Sequence, residues 1–133
     1  MPALLKNILN KLKTEKSVVE LQGLSGSSKA LVLSILSQIQ EQPTEKNIPL
    51  VVVCESFDVA EVLLNDLYYF LGKEGVHFFP FWDVLPYDNF SPHKALVAQR
   101  FQTLDALLSE EIRVLITTPN GLMQRFLPRV TFQ

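Results

Sequence analysis

The apolar residues of this chain follow two patterns. Some recur at helical spacing, and others stand in short uninterrupted runs. Near the N-terminus they stand three or four positions apart, which predicts an amphipathic helix over residues 1–16. The same spacing predicts further helices from Ser27 to Gln42, from Ser56 to about Leu71 and from about Pro92 to Ser109, with a short last helix starting at Pro119. Ser56 is expected to cap its helix, and Gly72 is expected to end that helix in the left-handed conformation.

Four short apolar runs lie between these helices and predict strands. They are Ser17–Gln22, Ile48–Cys54, Val76–Phe79 and Arg113–Thr118. The run from Leu50 to Val53 contains no polar residue, which is typical of a parallel strand buried on both faces. Because strands alternate with helices, we predict an α/β fold, with a parallel sheet of about four strands flanked by helices and right-handed crossovers.

The length of 133 residues corresponds to about one domain. We divide it into an N-terminal helix over 1–16, an α/β subdomain over 17–128 and the start of a further element over 129–133. The last residues, Arg129 to Gln133, carry neither a turn signal nor a polar tail. We therefore expect the chain to be a fragment of a larger protein, cut at the start of the next domain.

Composition narrows the class of protein. Twelve Lys and Arg against 14 Asp and Glu leave a net charge of −2, without the basic excess of a nucleic-acid-binding domain. Cys54 is the only cysteine, so no internal disulfide forms and a reducing cytoplasm is favoured. No apolar run approaches the roughly 20 residues that cross a bilayer, and the first residues lack the apolar core of a signal peptide. We expect a cytoplasmic protein with no membrane contact.

The segment Gly23-Leu24-Ser25-Gly26-Ser27-Ser28-Lys29-Ala30 stands where a phosphate-binding loop would lie, between a predicted strand and a predicted helix. A functional loop has the pattern G-x-x-x-x-G-K-[ST]. Gly23 and Lys29 are kept, whereas Ser28 replaces the glycine before the lysine and Ala30 replaces the hydroxyl residue that holds Mg²⁺. The candidate nucleotide-binding residues are Gly23, Gly26, Ser27, Ser28, Lys29 and Ala30, and we expect the loop to be inactive.

Hydrolysis of ATP also needs a carboxylate for the metal, and the last predicted strand ends in Thr117 and Thr118 instead. We therefore assign no catalytic residue and no metal ligand. The free N–H groups at the start of the helix still allow a weak anion site. Two alternatives stay open: a divergent nucleotide-binding protein in which Lys29 still binds ATP, and a small Rossmann-like domain that binds another anionic ligand at this loop.

Six aromatic residues and three prolines crowd into residues 78–92, and we call the segment from Pro80 to Pro92 the aromatic-proline loop. Its candidate packing or partner surface consists of Phe81, Trp82, Leu85, Tyr87 and Phe90. These side chains could pack on the sheet of their own domain or contact another domain or partner. Stacking on nucleic-acid bases is disfavoured, because Lys94 is the only nearby cation and Asp83 and Asp88 oppose it.

Two strings in this part of the chain are distinctive. With the degenerate loop and Arg100, the strings Leu85-Pro86-Tyr87-Asp88-Asn89-Phe90-Ser91-Pro92-His93 and Thr118-Pro119-Asn120-Gly121-Leu122-Met123-Gln124-Arg125 resemble the N-terminal region of bacterial transcription-repair coupling factors, the Mfd family. The resemblance covers about residues 17 to 130. It implies the first RecA-like subdomain, related to P-loop NTPases, of a module similar to domain 1a of the excision-repair protein UvrB, without ATPase function.

The resemblance also implies a role: a non-catalytic scaffold subdomain in a transcription-coupled nucleotide-excision-repair factor. The whole protein would be an ATP-dependent DNA translocase that displaces stalled RNA polymerase and recruits UvrA. UvrA would bind the following domain, and RNA polymerase, DNA, ATP and Mg²⁺ would bind further downstream, so this fragment would hold no cofactor. UvrB also grips DNA with an aromatic hairpin after the aromatic-proline loop, but Ser91-Pro92-His93 runs straight into Lys94 and leaves no room for it.

Overall fold

A computed structural model describes residues 7–8, 11, 18–39, 48–82 and 93–125 of the chain. Within these ranges four helices alternate with three strands. In chain order they are α1 (Ser28–Ile39), β1 (Leu50–Val53), α2 (Phe57–Leu71), β2 (Val76–Phe79), α3 (Lys94–Leu108), β3 (Val114–Thr117) and α4 (Pro119–Met123). No helix in these ranges is long and apolar enough to cross a membrane.

The three strands form one parallel sheet in the order β1-β3-β2, so the last strand in the chain is the central one. Ile116 of β3 lies between Val52 of β1 and Phe78 of β2. All four residues of β3 are buried. Parallel neighbours need a crossover, and a helix lies between each pair of successive strands. The predicted α/β class with a parallel sheet flanked by helices is confirmed, and the arrangement is consistent with a RecA-like fold.

Side chains alternate between the two faces of the sheet, and each face has its own core. On one face Val114, Ile116, Val76 and Phe78 pack with α1 and α2; Ala30, Ala60 and Leu67 are fully buried there. On the other face Leu115 and Phe79 pack with Ala106 of α3 and with Ile112. The strands β2 and β3 are therefore covered by helices on both faces of the sheet.

The edge strand β1 departs from the sequence prediction. Val51 and Val53 are 50% and 49% exposed, so the expected burial of Leu50–Val53 on both faces is wrong. The reason is position: β1 lies at an edge of the described sheet, and the second core involves β2, β3 and α3, not β1. An uninterrupted apolar run indicates a strand, but it does not indicate which side of the strand is covered.

The predicted strand from Ser17 to Gln22 is also absent from the part of it that the structure describes. Residues 18–25 have no regular structure, and Val18 is 97% exposed. Gln22 Nε2 donates a hydrogen bond to Glu20 Oε1 at 2.8 Å, on the exposed side of this segment. A strand needs a neighbouring strand for its backbone groups, and none of the described strands pairs with these residues. The sheet therefore has three described strands where about four were expected.

The predicted ends of α2 are confirmed, but the predicted conformation of Gly72 is not. Val59 N–H donates to Ser56 Oγ at 3.3 Å and caps α2, and Gly72 ends that helix with a φ of 78°. Its ψ of 175° lies outside the left-handed helical region that we predicted. His93 caps α3 through Nδ1, which accepts from Ala95 N–H. In the predicted N-terminal helix the described residues Asn7, Ile8 and Lys11 are helical, while the other residues of 1–16, like residues 126–133, lie outside the described ranges.

Candidate functional site at the carboxyl end of the sheet

The segment from Gly23 to Ala30 turns into α1 as the sequence predicts. Gly23 and Gly26 have φ values of 80° and 54°, a region that glycine enters readily. Ser28 donates twice to the carbonyl of Ser25, through Oγ at 2.6 Å and through its N–H at 3.2 Å. At the position where a phosphate loop has glycine, the Ser28 hydroxyl is therefore engaged in closing the turn.

Lys29 and Ala30 are neighbours in opposite environments. The Lys29 side chain is exposed and lines a cleft next to the end of β1. Ala30 is fully buried and belongs to the core cluster that includes Cys54 and Ala60. The position that carries the Mg²⁺-binding hydroxyl in a phosphate loop is thus packed into the apolar core. A larger side chain at Ala30 has no free volume without moving its neighbours.

The cleft has a volume of about 750 Å³ and lies between α1, α2 and the end of β1. Most of the lining side chains are aliphatic. Its charged lining residues are Lys29, Glu55, Asp58 and Asp66. Gly26 and Lys29 of the Gly23–Ala30 segment line the same cleft as Cys54 and Glu55, which follow β1. The loop therefore meets the carboxyl end of the sheet, the place where α/β proteins bind ligands.

Cys54 lies directly after β1 and is buried. Burial raises the pKa of its thiol above the ordinary value; the nearby charge of Lys29 lowers that pKa and the charge of Glu55 raises it. A thiol in this environment is protonated at neutral pH and is a poor nucleophile. Lys29 and Cys54 line the same cleft at the end of β1.

A second group of side chains lies beyond the end of β2 and centres on Arg100. This residue is only 3% exposed, although it is charged. Its guanidinium donates to the carbonyl of Pro80 and, at 3.2 Å, to Gln124 Oε1. The same group stacks on two rings, 4.2 Å from the centre of Phe79 and 4.4 Å from that of Trp82.

Gln124 completes this arrangement from the residue after α4. Its Oε1 accepts from Trp82 N–H at 2.6 Å, and its Nε2 donates to Trp82 C=O at 3.5 Å. Arg100 and Gln124 together fix residues 80–82, the start of the aromatic-proline loop. Among the predicted surface residues Phe81 and Trp82 are half-buried, while Leu85, Tyr87 and Phe90 lie outside the described ranges. Whether that loop packs internally or on a partner stays a prediction.

The structural roles of Arg100 and Gln124 were not predicted. A signal for Arg100 exists, because it stands at helical spacing from Leu96, Leu104 and Leu107, within the stripe of α3 that faces the protein. A polar residue inside an apolar stripe needs buried partners. The sequence carries no comparable sign for Gln124, whose partners come from backbone 42 positions away.

The threonines at the end of β3 have structural partners. Thr117 Oγ1 donates to the carbonyl of Phe79 at 2.9 Å and links β3 to β2, and Thr118 Oγ1 accepts from Gly121 N–H at 3.4 Å and caps α4. In a nucleotide-hydrolysing domain a metal-binding carboxylate would be expected at this edge. Here the edge carries two threonine hydroxyls, one of which links β3 to β2 and the other of which caps α4.

The two histidines have separate environments. His77 is half-buried in β2, where burial lowers its pKa and the carboxylate of Glu111 opposes that shift. His93 caps α3. Across the described ranges no three His, Cys, Asp or Glu side chains lie together in a group that could hold a metal ion.

The parallel sheet flanked by helices defines the class: a small α/β domain consistent with a RecA-like fold. Comparison with known proteins identifies relatives. The chain is 32% identical to a transcription-repair-coupling factor of Haemophilus influenzae over 93 residues, which are 70% of this chain and 8% of that protein. It is 47% identical to the transcription-repair-coupling factor of Escherichia coli over 47 residues, 35% of this chain and 4% of that protein.

A third relative, the transcription-repair-coupling factor of Rickettsia typhi, is 30% identical over 71 residues, 53% of this chain and 6% of that protein. The chain is thus related to a segment of the transcription-repair-coupling factors, and the resemblance seen in its motifs is confirmed. It spans less than a tenth of the length of these relatives. No family model matches it.

Proposed function

We propose that this chain is a non-catalytic scaffold subdomain of a transcription-coupled nucleotide-excision-repair factor. The observation that carries the proposal is the burial of Ala30, because it puts a methyl group in the core at the position where a phosphate loop needs a metal-binding hydroxyl. The relatives are named for coupling repair to transcription. A non-catalytic domain within such a protein contributes through its shape and its contacts.

The other residues of the site support the same role. Ser28 and Thr117 direct their hydroxyls to backbone carbonyls, and Thr118 caps a helix. In this proposal the subdomain positions the following domain, which binds UvrA, while RNA polymerase, DNA and ATP with Mg²⁺ are bound by downstream domains of a cytoplasmic DNA translocase. The aromatic-proline loop is then a surface for packing against other domains of the same protein.

The alternative, nucleotide binding through Lys29, rests on one observation: the Lys29 side chain is exposed at the start of α1. Calorimetric titration of the chain with Mg-ATP separates the two. We expect no binding tighter than about 1 mM, a free energy of about −4 kcal/mol, and no difference between the wild-type chain and Lys29→Ala. Micromolar affinity that is lost in Lys29→Ala would establish nucleotide binding and contradict the silent scaffold.

A second experiment asks whether the loop alone accounts for the missing chemistry. The double variant Ser28→Gly, Ala30→Ser restores the motif with the smallest hydroxyl side chain, chosen because Ala30 is fully buried. We expect no ATP hydrolysis above the wild-type background, since the carboxylate is also missing from the end of β3. Measurable turnover, with a circular dichroism spectrum equal to that of the wild type, would contradict this interpretation of the site.

The proposed placement of the partner is tested by capture. UvrA is offered to this chain and to a longer chain that includes the following domain of the parent protein. We expect only the longer chain to retain UvrA. Retention by the 133-residue chain would place the contact within residues 1–133 and would assign the subdomain a direct recognition role.

A further inference from the structure

The cleft between α1 and α2 has aliphatic walls that stay open to solvent. Val32 and Leu33 of α1 face Val59 and Val62 of α2 across it. Val62 is 64% exposed and Val59 is 37% exposed, whereas Leu67 of the same helix is fully buried against the sheet. Within the described ranges no element covers these two valines, so α2 has two apolar faces and only one of them is used by the fold.

Four large apolar residues of α2 are exposed, and three of them lie on one side of the helix; the fourth, Phe57, lies on another side. Val59, Val62 and Tyr69 are separated by three and seven positions, which places them on one side of a helix, and Tyr69 is 85% exposed. The helix has 15 residues, a length of about 22 Å. Val59 and Val62 line the cleft, whereas Tyr69 lies outside its lining. A groove between two helices with exposed aliphatic side chains matches the surface into which an amphipathic helix packs.

The residues that line the cleft carry more negative than positive charge. Glu55, Asp58 and Asp66 line it, and Lys29 is the only cation among the described lining residues. The α2 helix itself carries three carboxylates and no basic residue. The lining of the cleft therefore combines an excess of negative charge with mostly aliphatic side chains. This pattern selects against nucleic acid, whose phosphates the carboxylates repel, and favours a ligand with positive flanks.

We propose that the cleft between α1 and α2 binds an amphipathic helix of a protein partner, with aliphatic side chains on one face and Lys or Arg along its flanks. The aliphatic side chains enter between Val32 and Val62 and displace water from the exposed valines. The flanking cations lie beside Asp58 and Asp66. Gly26 and Lys29 line the same cleft, so this inference rests on the proposed absence of nucleotide binding there.

The probe is a synthetic peptide of about 18 residues, above the length at which isolated helices become stable. It carries Leu at helical spacing and Lys at the flanking positions, and a matched peptide carries Glu in place of every Lys. Fluorescence anisotropy measures binding of each labelled peptide to the 133-residue chain. We expect the Lys peptide to bind about tenfold more tightly than the Glu peptide at low salt, with the ratio shrinking at 0.5 M salt because the charges are screened.

Two substitutions locate the binding surface. Val62→Asp puts a charge on the apolar wall at a solvent-exposed position, and we expect it to weaken binding of the Lys peptide by about tenfold. Met123→Asp is the control, because Met123 is 84% exposed on α4 and does not line the cleft; its effect should stay below about twofold. Circular dichroism verifies that both variants remain folded.

The variant Asp66→Asn tests the charge selection without altering the apolar wall, and it should bring the affinities of the two peptides closer together. Several outcomes would overturn the proposal: no peptide binding, equal affinity for the Lys and Glu peptides, or an equal loss of affinity in Val62→Asp and Met123→Asp. Binding of a small apolar dye in the cleft with no binding of either peptide would also overturn it, since the cleft would then be a small-molecule site.

Discussion

Gly121 lies where a methyl group would collide with the end of β3. An ideal Cβ built on this residue stands 2.5 Å from Thr117 Oγ1 and 3.3 Å from the carbonyl oxygen of Phe79. Those two atoms are themselves hydrogen-bonded to each other. Three segments of chain thus meet within van der Waals contact, and the absence of a side chain at Gly121 is what allows α4 to start at the edge of the sheet.

We expect Gly121→Ala to lower the free energy of unfolding by about 1–3 kcal/mol, as other overpacked sites do. Thr117→Ala removes the colliding hydroxyl and costs about 1 kcal/mol for its hydrogen bond. Urea denaturation of both single variants and the double variant gives the coupling. The double variant should lose less than the sum of the two. Strict additivity would show that Thr117 is not the group that excludes a methyl group at Gly121.

The pKa of the Cys54 thiol tests whether Lys29 lies beside the end of β1. Because burial raises the folded-state pKa of the thiol, the stability contributed by the neutral thiol is complete below its unfolded value of about 9 and is lost as pH rises through the folded value. The rate of alkylation by iodoacetamide, measured against pH, follows this titration directly, since the chain has one cysteine.

Lys29→Met should move the alkylation midpoint to higher pH, since it removes a charge that favours the thiolate, and Glu55→Gln should move it to lower pH. Lys73→Met, in the exposed turn after α2, is the control and should leave the midpoint in place. An unchanged midpoint in Lys29→Met would mean that Lys29 does not lie beside the end of β1.

Among the elements, α3 and α4 act together through Arg100 and Gln124. They hold residues 80–82 against the sheet, and Trp82 is the only tryptophan of the chain. Arg100→Ala should cost about 2–4 kcal/mol, because it leaves the Pro80 carbonyl without its donor and opens a cavity beside two aromatic rings. Arg100→Lys should recover only part of the loss, since an ammonium cannot reproduce the planar stacking.

The emission of Trp82 provides the measurement. In Arg100→Ala at neutral pH we expect a shift of the emission to longer wavelength before global unfolding, as the ring gains contact with water. Arg125→Ala removes an exposed arginine nearby and should change neither the emission nor the denaturation midpoint. An Arg100→Ala variant with unchanged emission would show that Trp82 is held by other contacts.

The elements also show how far the sequence determines the fold. The bounds of β2 and the Ser56 cap of α2 depend on residues close in the chain, and they were predicted. The strand expected over residues 17–22 and the double burial of β1 depend on neighbours far away in sequence, and both were wrong. The turn of the Gly23 segment into α1 was predicted from local sequence, whereas the cluster around Arg100 joins three separate segments that no local pattern connects.

For the whole molecule, the parallel sheet depends on its central strand. Each residue of β3 has partners on both sides, while β1 has a described partner only in β3. We therefore expect Ile116→Pro to abolish cooperative unfolding, because it removes a central backbone donor and a fully buried side chain. Val51→Pro is the comparison, since its N–H points away from β3; the variant should stay folded. Thermal denaturation monitored by circular dichroism distinguishes them, and equal damage would contradict the strand order.

The order β1-β3-β2 also determines when the sheet can form while the chain is being synthesised. A ribosome makes β1 and β2 first, yet these two strands do not pair with each other, so in a nascent chain that has reached Leu108 neither has met β3, the strand with which both pair among the described residues. The sheet closes only when Val114–Thr117 emerges and enters between them. Until then, the apolar residues of β1 and β2 are open to other chains, and slow translation between α3 and β3 would lengthen the interval in which the chain can aggregate.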